Sequence, residues 1–204
     1  MALKILIATT NSAKLAEYLR LLAGILLELT TPVLENVTHH PEETGSTFEE
    51  NALLKARFYS RTTGLVALAD DSGLEVDALG GSPGVRSARF GGPDGTDQDR
   101  NRLVLMELEG VPQAQRSARF RCVIALVWPN GRQETFDGTC EGCIASRPSG
   151  DAGFGYDPIF YYPELGKTFG EVDPDVKDRH SHRGKAARKV LQRLKEAASA
   201  ASKT

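Results

Sequence analysis

LVALADDSGLEVDALGGSPGVRSARF, residues 65–90, is the stretch from which the fold is read. Its first five residues, Leu65, Val66, Ala67, Leu68 and Ala69, are apolar without a break, which is the character of a buried strand. The run stops at two adjacent carboxylates, Asp70 and Asp71, followed by Ser72 and Gly73. All four are good turn formers, so one expectation is a strand that ends in a turn. The end of a buried strand is also where an open α/β sheet presents its chemistry. Two carboxylates sharing such a place repel one another, and a divalent cation is the simplest agent that reconciles them. On these four residues, turn and metal site both stay open.

Outward from this stretch, the bulk properties set limits. With 204 residues, 40% apolar and 25% charged, the chain has the size and composition of one globular domain with a proper core. A net charge of −2 gives no general attraction to nucleic acid or anionic membranes. Three cysteines, an odd number, argue against a disulfide framework and for a reducing compartment. No run reaches the length of a membrane span. Residues 1–8 lack the charged lead of a signal peptide and read as a first strand, so the expected location is cytoplasmic.

The strand at residues 3–8 runs into Thr9-Thr10-Asn11-Ser12, and then Leu15, Tyr18, Leu19 and Leu22 recur at helical spacing up to Gly24. A strand–turn–helix junction favours an anion, because backbone N–H groups and the positive end of the helix dipole meet there. Lys14 lies badly for the dipole and well for a phosphate, although Thr-Asn-Ser equally serves as a plain helix cap. The spacing of a Walker A loop is absent. A second strand is expected within residues 25–33, running through Ile25 to Leu29 and closing at Pro32, and a polar loop holds Glu42, Glu43 and Gly45. A capping signal follows, Ser46 with Glu49 or Thr47 with Glu50. The helix after it carries Phe48, Ala52, Ala56 and Tyr59 as its apolar stripe, with Glu49, Asn51 and Lys55 read on its other faces.

Beyond the two aspartates, residues 74–79 alternate briefly, and Gly80, Gly81 and Gly84 around Ser82-Pro83 make a tight loop that lets backbone approach a ligand or another chain. Arg86 and Arg89 stand in an expected extended piece, able to grip a phosphate or to make surface salt bridges. Thr96 with Asp99 caps a further helix. Residues 116–128 and 132–144 read as antiparallel strands about the Pro129-Asn130-Gly131 turn, and as part of a second lobe. Cys140 and Cys143 fall on opposite faces of such a strand and have no second cysteine pair, which argues against zinc or redox chemistry. Residues 150–158 place Phe154, Tyr156 and Asp157 among three glycines, a loop suited to stacking on a planar base or to being pinned by buried aromatics. Residues 177–195 are strongly basic, with His182 and Arg183 just ahead of a helix whose apolar face is Ala187, Val190, Leu191 and Leu194. An anion-ready turn, a carboxylate pair, an aromatic loop and a basic cluster together suit a nucleoside triphosphate with its metal.

Four blocks carry a specific resemblance: Ala8 to Lys14 (ATTNSAK), Ala69 to Gly73 (ADDSG) running on to Arg89, Phe154 to Phe160 (FGYDPIF) and Ser181 to Gly184 (SHRG). In this order, and over nearly the whole chain, they resemble the inosine triphosphate pyrophosphatase family. That family often has glycine at the position of Thr10, so this copy departs slightly there. The resemblance implies an elongated α/β fold, a mixed sheet flanked by helices, in two lobes with the active-site cleft between them and residues 1–204 as one domain. It implies Mg²⁺-dependent hydrolysis of inosine, deoxyinosine and xanthosine triphosphates to monophosphate and pyrophosphate, and a homodimer. By motif, Thr9, Thr10, Asn11, Ser12, Ala13 and Lys14 would hold the phosphates and Ser72 would touch substrate. Asp71 would be general base and metal ligand, with Glu42 as second ligand. Phe154, Gly155, Tyr156, Asp157, Lys177, His182 and Arg183 would line the base and sugar pocket.

The chemistry follows independently. A triphosphate repels hydroxide, so charge must be neutralised and a water positioned, and Mg²⁺ characteristically takes only one or two protein carboxylates. His182 and Arg183 donating to a 6-oxo group would disfavour adenine, which presents a donor there. A non-catalytic nucleotide sensor would use the same residues but tolerate loss of Asp71. A nucleic-acid binder acting through residues 177–195 would show steep salt dependence. Within enzymes, the rival is a pyrophosphatase for pyrimidine or modified nucleotides.

Overall fold

Alternation of apolar residues explains the first layer. Ile5 and Ile7 of β1 (Leu3–Ile7), Val66 and Leu68 of β3 (Val66–Val76), and Cys122, Ile124 and Leu126 of β4 (Ser117–Val127) are buried together. Side chains two apart on a strand share a face, and the parallel register pairs Ile5 with Val66 and Ile7 with Leu68. Tyr18 of α1 (Ser12–Leu21) and the adjoining Leu22 pack on this face. So do Ala186 of α5 (His182–Ala201) and, from the apolar face expected of that helix, Ala187, Val190 and Leu194. The computed structural model describes residues 3–24, 27–92 and 94–201.

The strands form one mixed seven-stranded sheet flanked by helices. Its order is β2 (Leu27–Thr30), β1, β3, β4, β5 (Gln133–Ile144), β6 (Phe160–Tyr162) and β7 (Lys167–Thr168). β1 runs parallel to both β2 and β3, whereas β5, β6 and β7 pair antiparallel. The expected Pro129-Asn130-Gly131 turn joins β4 to β5, with the Trp128 N–H donating to the Arg132 carbonyl at 2.9 Å. Among the described residues there are three further α-helices: α2 (Phe48–Thr63), α3 (Asp97–Glu107) and α4 (Pro174–His180).

Contacts divide the chain into two units, residues 1–71, 122–138 and 183–204 in the first, and 72–121 and 139–182 in the second. The second has its own core, in which Leu74, Val76, Phe120, Ile144, Phe160 and Phe169 are buried together. Strands β4 and β5 contribute to both units. The first and the last of the four crossings between the units, at Asp71–Ser72 and at His182–Arg183, fall within two of the singled-out motifs.

Several local expectations need correction. The strand does not end in a turn at the aspartates: β3 continues through Asp70, Asp71, Ser72 and Gly73 to Val76. Leu74 and Val76, both fully buried, extend the apolar alternation past the polar residues and keep the backbone extended. Residues 77–79 then form a 3₁₀ turn. The segment with Arg86 and Arg89 is a 3₁₀ helix, Gly84–Arg89, not an extended piece. Of the strand expected within residues 25–33, β2 accounts for Leu27–Thr30, and Ile25 and Leu26 lie outside the described residues.

Candidate active site

Adjacent strand residues point to opposite faces, and this decides what the two aspartates do. Asp70 falls on the face of Val66 and Leu68, toward α1 and α5. Its Oδ2 accepts from Lys14 Nζ at 2.8 Å and from Arg183 Nη2 at 3.5 Å. Asp71 faces α2, where Asn51 Nδ2 donates to its Oδ2 at 3.0 Å and Lys55 Nζ lies 3.7 Å from its Oδ1. The two carboxylates therefore do not share one site through a common cation. Each has its own partners.

The Asp70 side is a buried charge network. Arg183 Nη1 also pairs with Glu17 Oε2 at 2.5 Å, and Glu17, Asp70 and Arg183 are all buried. Charges removed from water must be paired, and α1 supplies two of these groups by placing Lys14 and Glu17 three residues apart on one face. Burial pushes the Asp70 carboxyl upward, but Lys14, Arg183 and Lys55 outweigh it and hold the group well below the usual carboxylate range. Burial likewise opposes the Arg183 charge, and Glu17 and Asp70 overcome it, so the guanidinium stays protonated.

At the head of α1, Asn11 is the cap: its Oδ1 accepts the N–H groups of Ala13 at 2.9 Å and Lys14 at 3.1 Å. Thr9 Oγ1 accepts the Asn11 N–H at 3.2 Å, while Thr10 and Ser12 are exposed. The capping role is thus real, and it coexists with an open polar turn that ends in Lys14.

On the Asp71 side, burial raises the carboxyl above its ordinary value, with Lys55 and Lys14 opposing and Glu43 reinforcing. Glu43 Oε1 accepts from Lys55 Nζ at 2.5 Å. Glu42 is exposed and makes no ion pair among the described residues. Asn51 is fully buried, and the Lys55 side chain is only 13% exposed. Placing both on the outer faces of α2 was therefore wrong. At about 100° per residue, Lys55 lies roughly 20° and Asn51 roughly 60° from Phe48, on the side away from Ala52 and Ala56, so both border the apolar stripe. Two polar residues bordering a buried stripe on one side are the signal that could have found them.

In the second unit, the glycine-rich loop is tied down at Phe154, Gly155, Tyr156 and Asp157. Asp157 Oδ2 accepts from the Phe154 N–H at 2.8 Å and from Lys177 Nζ at 2.6 Å. The same ammonium stands 4.8 Å from the centroid of the Phe154 ring. The Gly155 N–H donates to Asp97 Oδ2 at 2.6 Å and its carbonyl accepts from Asn101 Nδ2 at 3.1 Å, both from α3 and both missed in the sequence. Tyr156 is buried and donates its hydroxyl to the Ser87 carbonyl at 2.8 Å. The His182 ring stacks on Phe120 at 4.7 Å. His182 and Arg183 are chain neighbours whose contacts thus belong to different units: Arg183 serves Glu17 and Asp70. Ser72 is half-buried on β3. Among the described residues, no group of three His, Cys, Asp or Glu stands ready to hold a metal.

Comparison with known proteins adds four findings. The sequence model described as the Ham1 family matches residues 5–193. The chain is 48% identical over 194 residues to a dITP/XTP pyrophosphatase of Thermus thermophilus, covering 95% of this chain and 93% of that one. To the dITP/XTP pyrophosphatase of Yersinia pseudotuberculosis it is 48% identical over 198 residues, covering 95% and 99%. The solved structure of a HAM1 protein from Coxiella burnetii superposes with a TM-score of 0.88 at 46% identity, over 95% of this chain and 99% of that one.

Proposed function

The chain belongs to the Ham1 family, and from that premise we propose that it hydrolyses inosine, deoxyinosine and xanthosine triphosphates to the monophosphate and pyrophosphate. One observation carries the reading at the level of residues. Asp71 is a buried carboxylate whose proton affinity burial has raised, held by Asn51 and set among Lys14 and Lys55. A carboxylate of that kind can take a proton from an attacking water, and the ammonium groups complement a polyphosphate.

In this reading Asp71 accepts the proton as water attacks the α-phosphorus. Lys14 exchanges part of its interaction with Asp70 for the departing pyrophosphate, helped by Thr9, Thr10, Ser12 and the backbone of Ala13. Asn11 keeps the head of α1 in shape through its two cap bonds. The Phe154 ring, oriented by Asp157 and Lys177, offers a stacking face to the base, and Gly155, Tyr156, His182 and Ser72 complete the sugar and base contacts. Arg183 acts on this site through Glu17 and Asp70.

The donor chemistry suits Mg²⁺: a hard cation prefers carboxylate oxygens and needs only one or two of them. Asp71 would hold it together with Glu42, the carboxylate outside the ion pairs, while Glu43 is occupied by Lys55. When bound, Mg²⁺ neutralises phosphate charge and polarises the phosphoryl oxygen. A homodimer and a cytoplasmic location belong to the same reading. Among the described residues no helix is long and apolar enough to cross a membrane.

Turnover of deoxyinosine triphosphate and deoxyadenosine triphosphate, with and without Mg²⁺, tests the proposal. The expected result is hydrolysis of the inosine form, at least about 100-fold higher kcat/KM than for the adenine form, because a mismatched hydrogen-bonding edge leaves buried groups unpaired. Equal turnover of both would overturn the base assignment.

A further inference from the structure

We propose that Asn51 is the positioning residue for Asp71, selecting which carboxylate oxygen is anchored and which is left to work, and locking the loop at residues 42–45 to the same point. This rests on the reading of Asp71 given above.

The assignment follows from the chemistry of a primary amide, which offers one acceptor oxygen and two N–H donors. Asn51 is fully buried, so each of those groups needs a partner. Its Oδ1 accepts the Gly45 N–H at 2.7 Å. A backbone N–H can only be met by the oxygen, and that contact settles which way the amide faces. Nδ2 must then point the other way, and it does: it donates to Asp71 Oδ2 at 3.0 Å and, more loosely, to the Gly45 carbonyl at 3.4 Å. Asp71 Oδ2 is thereby fixed. Oδ1, 3.7 Å from Lys55, is the oxygen left for a proton or a cation.

Gly45 shows how closely the loop is held. A Cβ there would stand 2.6 Å from Asn51 Oδ1 and 2.7 Å from Glu50 Cβ, so a side chain would drive the amide off its partners. Glu50 closes the same corner by accepting from the Ser46 N–H at 2.7 Å and the Ser46 hydroxyl at 2.8 Å. The loop that carries Glu42 and Glu43 and the carboxylate of Asp71 therefore share one fulcrum, the Asn51 amide. Neither Phe48 nor Ala52, its apolar neighbours on α2, could supply that link.

The test has two arms. In the first, kcat and KM for deoxyinosine triphosphate are measured in the wild type, Asn51→Ala and Asn51→Ser, alongside thermal unfolding. A misplaced catalytic group costs about 10- to 100-fold in rate. The expected result is therefore a kcat lower by that order in both variants, with KM within about 2-fold and unfolding cooperative. An unchanged kcat, or a loss confined to KM, overturns the proposal. The second arm does not need activity. The chain has five asparagines, so the Asn51 side-chain amide can be followed by nitrogen-15 NMR. Its protons should exchange slowly and shift in Asp71→Asn. Signals that stay put in Asp71→Asn overturn the proposal, even where the Asn51 variants fail to fold. A wild type that turns over no deoxyinosine triphosphate defeats the functional reading alone, and the NMR arm still decides the contact.

Discussion

At the scale of single residues, the alternation of a strand separates two neighbouring aspartates into two jobs. Asp71 stands with Asn51 and Lys55, and Asp70 with Lys14 and Arg183. Asp70 accordingly carries a clear stability prediction. Removing one partner of a buried ion pair costs about 3–5 kcal/mol, so Asp70→Asn should lower the melting temperature at pH 7 by on the order of 10 °C for a chain of this size. The sign of the pH dependence follows from the depressed carboxyl. Asp70 stabilises the fold above the unfolded carboxylate value of about 3.9, and that contribution is lost as the pH falls below it toward the lower folded value. The gap between the melting temperatures of wild type and Asp70→Asn should therefore hold from pH 7 down to about pH 4 and narrow on further acidification. A gap that stays constant or widens on that further acidification would contradict the network.

At the scale of elements, close backbone packing sets the loops that bear function. Gly150 has φ +76°, and a Cβ there would lie 1.9 Å from the Gly170 carbonyl oxygen. Gly131, at the hairpin turn, has φ +86° with nothing near an added Cβ. Gly131→Ala should cost only the left-handed strain, about 1–2 kcal/mol. Gly150→Ala adds overpacking of about 1–3 kcal/mol, so its denaturant midpoint should fall further. Equal midpoints would show that the 150–158 loop is not held as described. Much of this level was legible in the chain. The Asn11 cap, the Thr96–Asp99 capping box and the Pro129-Asn130-Gly131 turn rest on local chemistry and appear where local chemistry puts them. The run through Asp70 and Asp71 was not, because a polar pair in a strand resembles a turn until the buried Leu74 and Val76 beyond it are counted. Asn51 and Lys55 were missed because an apolar stripe was read by its apolar members only. Glu17, Asp97 and Asn101 depend on partners 54 or more residues away, which no local pattern displays.

At the scale of the whole molecule, a chain of net charge −2 has to receive a polyanion. The first unit keeps cations on carboxylates, Lys14 on Asp70, Lys55 on Glu43 and Arg183 on Glu17, and the second unit holds Lys177 on Asp157. In the proposed reaction the triphosphate competes for some of these cations, and Asp71 directs water to the α-phosphorus. The position of attack is therefore the claim on which the rest depends. Hydrolysis of deoxyinosine triphosphate in oxygen-18 water, with Mg²⁺ and with the products separated for mass spectrometry, measures it directly. Attack at the α-phosphorus predicts the label in the monophosphate and none in the pyrophosphate, with turnover lost in Asp71→Asn. Label in the pyrophosphate, or in free orthophosphate released with a diphosphate, would contradict it.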